Sequence, residues 1–162
     1  MSENVKVSVK NLTKSFGDLL VLDDISFDVK QGEFLCIMGP TGCGKTTFLN
    51  SLTKLYDIDK GTITLNGEAI DPKKQNIAYI FQEYSTMEWL TVEENIGYGL
   101  RIKHVPKEES AKRVAEVMEI VGLTKYAKYY PRQLSASMLQ RVVIARAFAV
   151  EPELLLMDEP YG

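Results

Sequence analysis

Apolar and polar positions alternate cleanly near the start of the chain. Val5-Lys6-Val7-Ser8-Val9 reads as a half-exposed strand. Val21-Leu22 and Ile25-Ser26-Phe27-Asp28-Val29 repeat the signal. Between them, Lys14-Ser15-Phe16-Gly17-Asp18 reads as a turn that carries an aromatic. Lys30-Gln31-Gly32 is another turn, and Glu33-Phe34-Leu35-Cys36-Ile37-Met38 is a short apolar run with strand character. Thr46 to Leu52 fits the first turns of a helix. Asp59-Lys60-Gly61 is a turn, and Thr62-Ile63-Thr64-Leu65-Asn66-Gly67 alternates again. Asn76-Ile77-Ala78-Tyr79-Ile80-Phe81 is an apolar strand ending at Gln82.

From Glu83 onward the pattern becomes helical. Thr91-Val92-Glu93-Glu94 is a capping box that opens a helix through about Leu100. Pro106 fits the first position of the next helix and Gly122 its end. Inside it, Val114, Val117, Met118 and Val121 share one face, which reads as core rather than as a ligand site. Lys107-Glu108-Glu109 is a solvated helix start with acids near the positive end of the dipole. Ser135 is placed to cap a helix through Val150 that is apolar nearly all round, broken by Gln140, Arg141 and Arg146. Such a helix is buried on more than one side. Glu151-Pro152 ends it. Leu154-Leu155-Leu156-Met157 is continuously apolar and runs into Asp158-Glu159, which suits a central parallel strand covered on both faces. The sum is an α/β core with a helical insertion.

The composition narrows the function. A length of 162 residues favours one domain, and a formal net charge of −3 gives no electrostatic case for nucleic acid. Cys36 and Cys43 match no metal or redox spacing, and a reducing, cytosolic compartment suits both. Met1-Ser2-Glu3-Asn4 starts no signal peptide. No apolar run is long enough to span a bilayer, so membrane association is expected through a partner. His104 is the only histidine and reads as a surface loop residue.

The strongest chemistry sits at Gly39-Pro40-Thr41-Gly42-Cys43-Gly44-Lys45-Thr46, a phosphate-binding loop of the form G-x-x-x-x-G-K-[ST] between strand-like and helix-like segments. Its glycines allow a tight turn and close approach of backbone N–H groups to an anion. The helix start adds unpaired donors. Lys45 is placed for the β/γ-phosphates and the Thr46 hydroxyl for Mg²⁺. Read alone, Asp158-Glu159-Pro160 is as readily a polar strand end as part of a site. Beside a phosphate loop it becomes the second half of a nucleotide hydrolysis site, with Asp158 holding Mg²⁺ and Glu159 polarising the attacking water.

With these motifs in place, the chain resembles the nucleotide-binding subunit of ATP-binding-cassette transporters, from Val5 to its last residue. The resemblance implies a P-loop NTPase core of three α/β layers, with an antiparallel β subdomain and a helical insertion, incomplete at the C-terminus. It implies a catalytic core of residues 1–82 and 153–162, and a helical subdomain, 83–152. Phe16 matches the aromatic that stacks on adenine. Gln82 matches the glutamine that senses Mg²⁺ and the transport partner. Trp89-Leu90-Thr91-Val92-Glu93-Glu94-Asn95-Ile96 matches the segment that follows. Leu134-Ser135-Ala136-Ser137-Met138 sits at the family's signature, usually L-S-G-G-Q, and Arg141-Val142-Val143-Ile144-Ala145-Arg146-Ala147 continues it.

By the same resemblance, ATP and Mg²⁺ are the cofactors. Gly39, Pro40, Thr41, Gly42, Cys43, Gly44, Lys45, Thr46 and Thr47 hold the nucleotide. Thr46, Gln82 and Asp158 hold the metal, and Glu159, Gln82 and Lys45 serve catalysis. Ser135, Ala136 and Ser137 face the γ-phosphate of ATP on a second subunit. The implied partners are that second nucleotide-binding subunit, as a homodimer, and transmembrane permease subunits, with a solute-binding protein indirectly. Nucleic acid is not among them. The implied place is cytoplasmic, peripheral on the inner face of the membrane. Met138 and the wording of residues 89–94 look like importers of nitrate, sulfonate or taurine.

Two departures stand out. Ala136 and Ser137 replace the signature glycines, and an added Cβ could hinder close approach of backbone to phosphate. The chain also ends at Gly162, before the family's D-loop and switch histidine. The family's intervening strand lies between the phosphate-loop strand and the Asp158 strand. The runs Phe34–Met38 and Leu154–Met157 are therefore expected to be separated by a gap, in a chain that is poorly folded or aggregation-prone alone. An ATP-binding remnant without hydrolysis or transport is the alternative reading. A soluble cassette ATPase of DNA repair would need a long coiled coil, and no heptad run occurs.

Overall fold

The computed structural model describes residues 4–160, and the readings placed on Met1–Glu3 and on Gly162 lie outside them. Packing divides the chain into two compact units, Met1–Gln75 and Asn76–Gly162.

The first unit is built on a four-stranded antiparallel sheet. β1 (Val5–Phe16) pairs with β2 (Leu19–Lys30) on one side and with β3 (Lys60–Leu65) on the other, and β4 (Glu68–Ala69) pairs with β3. Period-two alternation explains the buried face. Val7 lies opposite Leu65 and Val9 opposite Ile63, and all four are buried. Past Val9 the alternation breaks at a bulge. Asn11 takes a positive φ of 50° and Asp24, across on β2, one of 48°. The Asn11 N–H donates to Ser26 Oγ at 2.8 Å, and its side-chain amide donates to Asp24 Oδ1 at 2.7 Å. The break shifts the register, so Leu12 is buried out of the earlier phase. Lys14-Ser15-Phe16 is therefore the end of β1 rather than a turn. The turn itself is Gly17-Asp18, and the two expected strand pieces after it are one strand. Helix α1 (Lys45–Leu52) buries Phe48, Ser51 and Leu52, and the Phe48 ring lies 5.6 Å from that of Phe27.

The expected strand at Phe34–Met38 does not form. Residues 33–40 are irregular, and Phe34, Leu35, Ile37 and Met38 are all exposed. A strand exists only through hydrogen bonds to a neighbour, and among the described residues no strand pairs with this run. With one of its two strands missing, the expected gap has no counterpart here.

The second unit begins with β5 (Ile77–Ile80), which pairs in parallel with β6 (Leu154–Met157), Ile77 opposite Leu154 and Ile80 opposite Met157. Between them come α2 (Val92–Ile102), α3 (Lys107–Ile120) and α4 (Ala136–Ala149). Pro106 stands just ahead of α3 rather than at its first position. Val114 and Met118 of the expected stripe are buried, with Val117 and Val121 packed beside them. Helix α4 is apolar all round because it is packed on two sides. Val142, Ala145 and Ala149 join the core of α2 and α3, whereas Val143 and Ala147 pack on Ala78 and Ile80 of β5. β6 is not the doubly covered central strand that its composition suggests. β5 is its one partner among the described residues, and of its four residues Leu156 alone is buried.

Candidate functional site

The glycine loop leads straight into α1. Gly42 and Gly44 take φ of +83° and +99°, backbone that side-chain-bearing residues rarely adopt. A Cβ on Gly44 would also meet Val21 and Leu22 side chains at 3.1 Å, so this glycine packs the helix start against β2. The Cys43 N–H donates to Pro40 O at 3.2 Å and closes the loop. Lys45 Nζ folds back to donate to Gly39 O at 2.9 Å and to Pro40 O at 3.2 Å. The first-turn N–H groups of α1 have no acceptor within the helix, and Thr46 is exposed beside them. A lysine, first-turn amides and a hydroxyl on one loop form a donor set that fits a phosphate chain with its cation.

Phe16 lies in the same unit, half-exposed, with its ring edge-on to Tyr56 at 5.3 Å. Lys14 Nζ stands 5.1 Å from the Phe16 ring centre. Asp59 fixes this strand end: its carboxylate accepts the Ser15 N–H at 2.6 Å and lies 3.4 Å from Lys14 Nζ. The bond from Ser15 is the main reason its carboxyl sits below the usual range, helped by Lys14.

In the second unit, the end of β6 gathers the acids. Asp158 is buried; its N–H donates to Ile80 O at 2.9 Å, and Tyr79 Oη donates to its Oδ2 at 3.3 Å. Glu159 follows with a left-handed φ of 46°, which turns its side chain out of the strand's alternation. Gln82 Nε2, at the end of β5, donates to Glu159 Oε2 at 2.9 Å. Parallel pairing explains the meeting, because β5 and β6 end side by side. The Gln82 amide oxygen and the Asp158 carboxylate, both in this unit, are oxygen donors suited to Mg²⁺. Among the described residues, no group of three or more His, Cys, Asp and Glu could hold a metal by itself.

Ser135 caps α4, its Oγ accepting the Met138 N–H at 3.4 Å. Ser135, Ala136 and Ser137 are exposed. Ala and Ser fit these first-turn helical positions without strain. Sequence reasoning missed the supports of the loop after Gln82. Asn95, fully buried on α2, accepts the Met87 N–H at 2.8 Å and donates to Met87 O, Leu90 O and Thr91 O. Arg146 on α4 grips Ser85. A polar residue amid an apolar helical stripe was the available signal at both positions.

The family model for ABC transporters matches residues 22–162. The chain belongs to that family. It is similar to the sulfate/thiosulfate import ATP-binding protein of Nocardia farcinica, 40% identical over 159 residues, 96% of this chain and 48% of that protein. It is 40% identical to the Fe(3+) ions import ATP-binding protein of Fusobacterium nucleatum, over 99% of this chain and 43% of the other. With the spermidine/putrescine import ATP-binding protein of Nitratidesulfovibrio vulgaris, the figures are 41%, 96% and 43%. The chain thus spans about half the length of the curated relatives it matches. A solved ATP-binding cassette, MJ0796, a dimer in a post-hydrolysis state with ADP and Pi, superposes with a TM-score of 0.84 at 32% identity, over 96% of this chain and 74% of that one. The fold is accordingly the mixed α/β fold of the cassette ATPases, matched over part of its length.

Proposed function

We propose that this chain is the nucleotide-binding part of an importer's ATP-binding subunit, taking ATP with Mg²⁺. The observation that carries the reading is the loop at residues 39–46, which has left-handed glycines, Lys45 and the first turn of α1 on one short stretch. Gly39 to Thr47 wrap the phosphates, and Phe16 stacks on the base. Thr46, Gln82 and Asp158 supply oxygen ligands to the metal, and Glu159 takes the proton of the attacking water. Functionally, residues 1–82 and 153–162 form the catalytic core, and 83–152 the helical subdomain that carries the signature. A second copy offers Ser135, Ala136 and Ser137 to the γ-phosphate. Permease subunits engage the region near Gln82, a solute-binding protein acts through them, and the chain sits on the cytoplasmic face of the membrane. Among the described residues no helix is long and apolar enough to cross a membrane.

The solute is a finer matter. Met138 and residues 89–94 point to nitrate, sulfonate or taurine, whereas the relatives above are named for sulfate, iron and polyamines. Sulfate shares its tetrahedral oxyanion chemistry with sulfonate, so an oxyanion is the class we favour.

Lys45→Ala tests the loop. A hydrogen bond to a charged group contributes about 1.5–3 kcal/mol, so ATP should bind roughly ten- to a hundred-fold more weakly, and ADP less so. Equal ATP affinity by calorimetric titration would refute the reading. A second reading, binding without turnover, is favoured by the exposed side chains of Ala136 and Ser137 where phosphate must approach backbone. Magnesium-dependent ATPase activity abolished by Glu159→Gln decides against it.

A further inference from the structure

Arg146 lies in the last turn of α4 between two buried alanines, Ala145 and Ala147. Burial holds its guanidinium below the ordinary arginine value. No carboxylate pairs with it among the described residues. Both of its hydrogen bonds go to one loop residue: Nη1 donates to Ser85 O at 2.7 Å and Nη2 to Ser85 Oγ at 2.6 Å. A half-buried cation without a counter-charge is a costly way to fill space, and an apolar side chain would pack there more cheaply. What the guanidinium adds is a planar fork that fixes direction as well as distance.

Ser85 is three residues past Gln82, in a stretch without regular structure. Beyond it, Asn95 ties Met87 to α2. Only residues 81–84 are then left between the end of β5 and the first clamp. The same helix reaches the other side of the Gln82–Glu159 pair, because Gln140 donates to Pro160 O, next to Glu159. Helix α4 therefore holds both partners of a 2.9 Å hydrogen bond by their neighbours.

We propose that Arg146 is a positioning residue, whose two-pronged hold on Ser85 sets the reach of Gln82 to Glu159 and with it the geometry of the hydrolytic step. This rests on the roles given to Gln82 and Glu159 above. The first turn of the same helix carries Ser135, Ala136 and Ser137, so a shift of α4 on nucleotide capture would be passed to both residues at once.

The test uses the intact protein that carries this chain. Arg146→Lys keeps the charge and loses the fork; Ser85→Ala loses one of the two acceptors; Ser85→Thr keeps both. Arg146→Lys should lower kcat for ATP by about ten- to a hundred-fold, with KM for ATP unchanged. Ser85→Ala should fall between it and the parent, and Ser85→Thr should restore the parent rate. Amide hydrogen exchange supplies a readout free of turnover: residues 83–87 should exchange faster in Arg146→Lys, with α2 and α4 protected as before. A parent-like kcat in Arg146→Lys would overturn the proposal. So would unchanged exchange at 83–87, or a rise spread equally through α2 and α4, which would make Arg146 only a stabiliser of the helical core. If the parent itself hydrolyses no ATP, the proposed function fails, and the exchange pattern still decides whether Arg146 holds the loop.

Discussion

Asp59 touches no expected nucleotide atom, yet it fixes the residue that would. Its carboxylate holds the Ser15 N–H and its own N–H donates to Thr13 O at 3.0 Å, so the strand end on both sides of Lys14 is pinned. Its pKa is lowered in the folded chain. The hold is therefore complete above the unfolded carboxylate value and is lost as pH falls through the lower folded one. At neutral pH, Asp59→Ala should free the end of β1 and loosen the Phe16 platform. The expected outcome is a severalfold loss of ATP affinity with tripolyphosphate affinity unchanged, read by calorimetry. An equal loss for both ligands would mean that Asp59 acts on the phosphate loop or on folding. At the signature, the double change Ala136→Gly and Ser137→Gly should let backbone come nearer a phosphate, against a helix cost of up to about 1 kcal/mol per glycine. With Glu159→Gln in the background and saturating ATP, sedimentation of the intact protein should show more dimer. A decrease would mean that the present side chains already fit.

Among the elements, α2 was the most legible, because both ends of its capping box are local. Thr91 Oγ1 accepts the Glu94 N–H at 3.4 Å, and Glu94 Oε2 accepts the Thr91 N–H at 2.8 Å. Thr91→Ala should cost about 1 kcal/mol of stability, seen as a lower denaturation midpoint. The Thr91 N–H, and the Thr91 hydroxyl at 3.0 Å, both donate to Glu94 Oε2 and hold the Glu94 carboxyl below its usual range. Its contribution is then present above the unfolded value and fades as pH falls through the folded one. Glu94→Gln should lower stability at neutral pH, where the carboxylate contributes, and should flatten the loss of stability as pH falls below about 4.3. The stripe of α3 was legible for the same reason: helical neighbours are three and four residues apart in sequence. The bulge at Asn11 was not. It depends on Ser26 and Asp24 across the β1–β2 pair, contacts that no local pattern announces. For Arg146 and Asn95 the local pattern marked a polar residue in an apolar stripe, whereas the partners, 61 and 8 residues away, were hidden. The proposed site residues were named from their types and order, and what the structure adds is the meeting of Gln82 with Glu159.

At the scale of the whole molecule, continuous apolarity at Phe34–Met38 signalled a demand for burial, and pairing partners decide whether the demand is met. Phe34 is 78% exposed and Met38 87%, with Leu35 and Ile37 also open. Each large apolar side chain left in water forgoes roughly 1.5–3 kcal/mol. The four together rival the whole stability margin of a domain, about 5–15 kcal/mol. An irregular, exposed run of this composition also offers unpaired backbone groups, a template for strand pairing between chains. The 162-residue chain purified by itself should therefore self-associate, with light scattering that rises with concentration. Phe34→Lys with Ile37→Lys should suppress that rise, because charges on such a run oppose edge-to-edge pairing. The phosphate loop begins at the next residue after Met38, so nucleotide should damp the association of the unchanged chain by ordering its neighbour. A monomeric preparation of the unchanged chain with a sharp cooperative melt would overturn the prediction, as would association that the two lysines leave untouched.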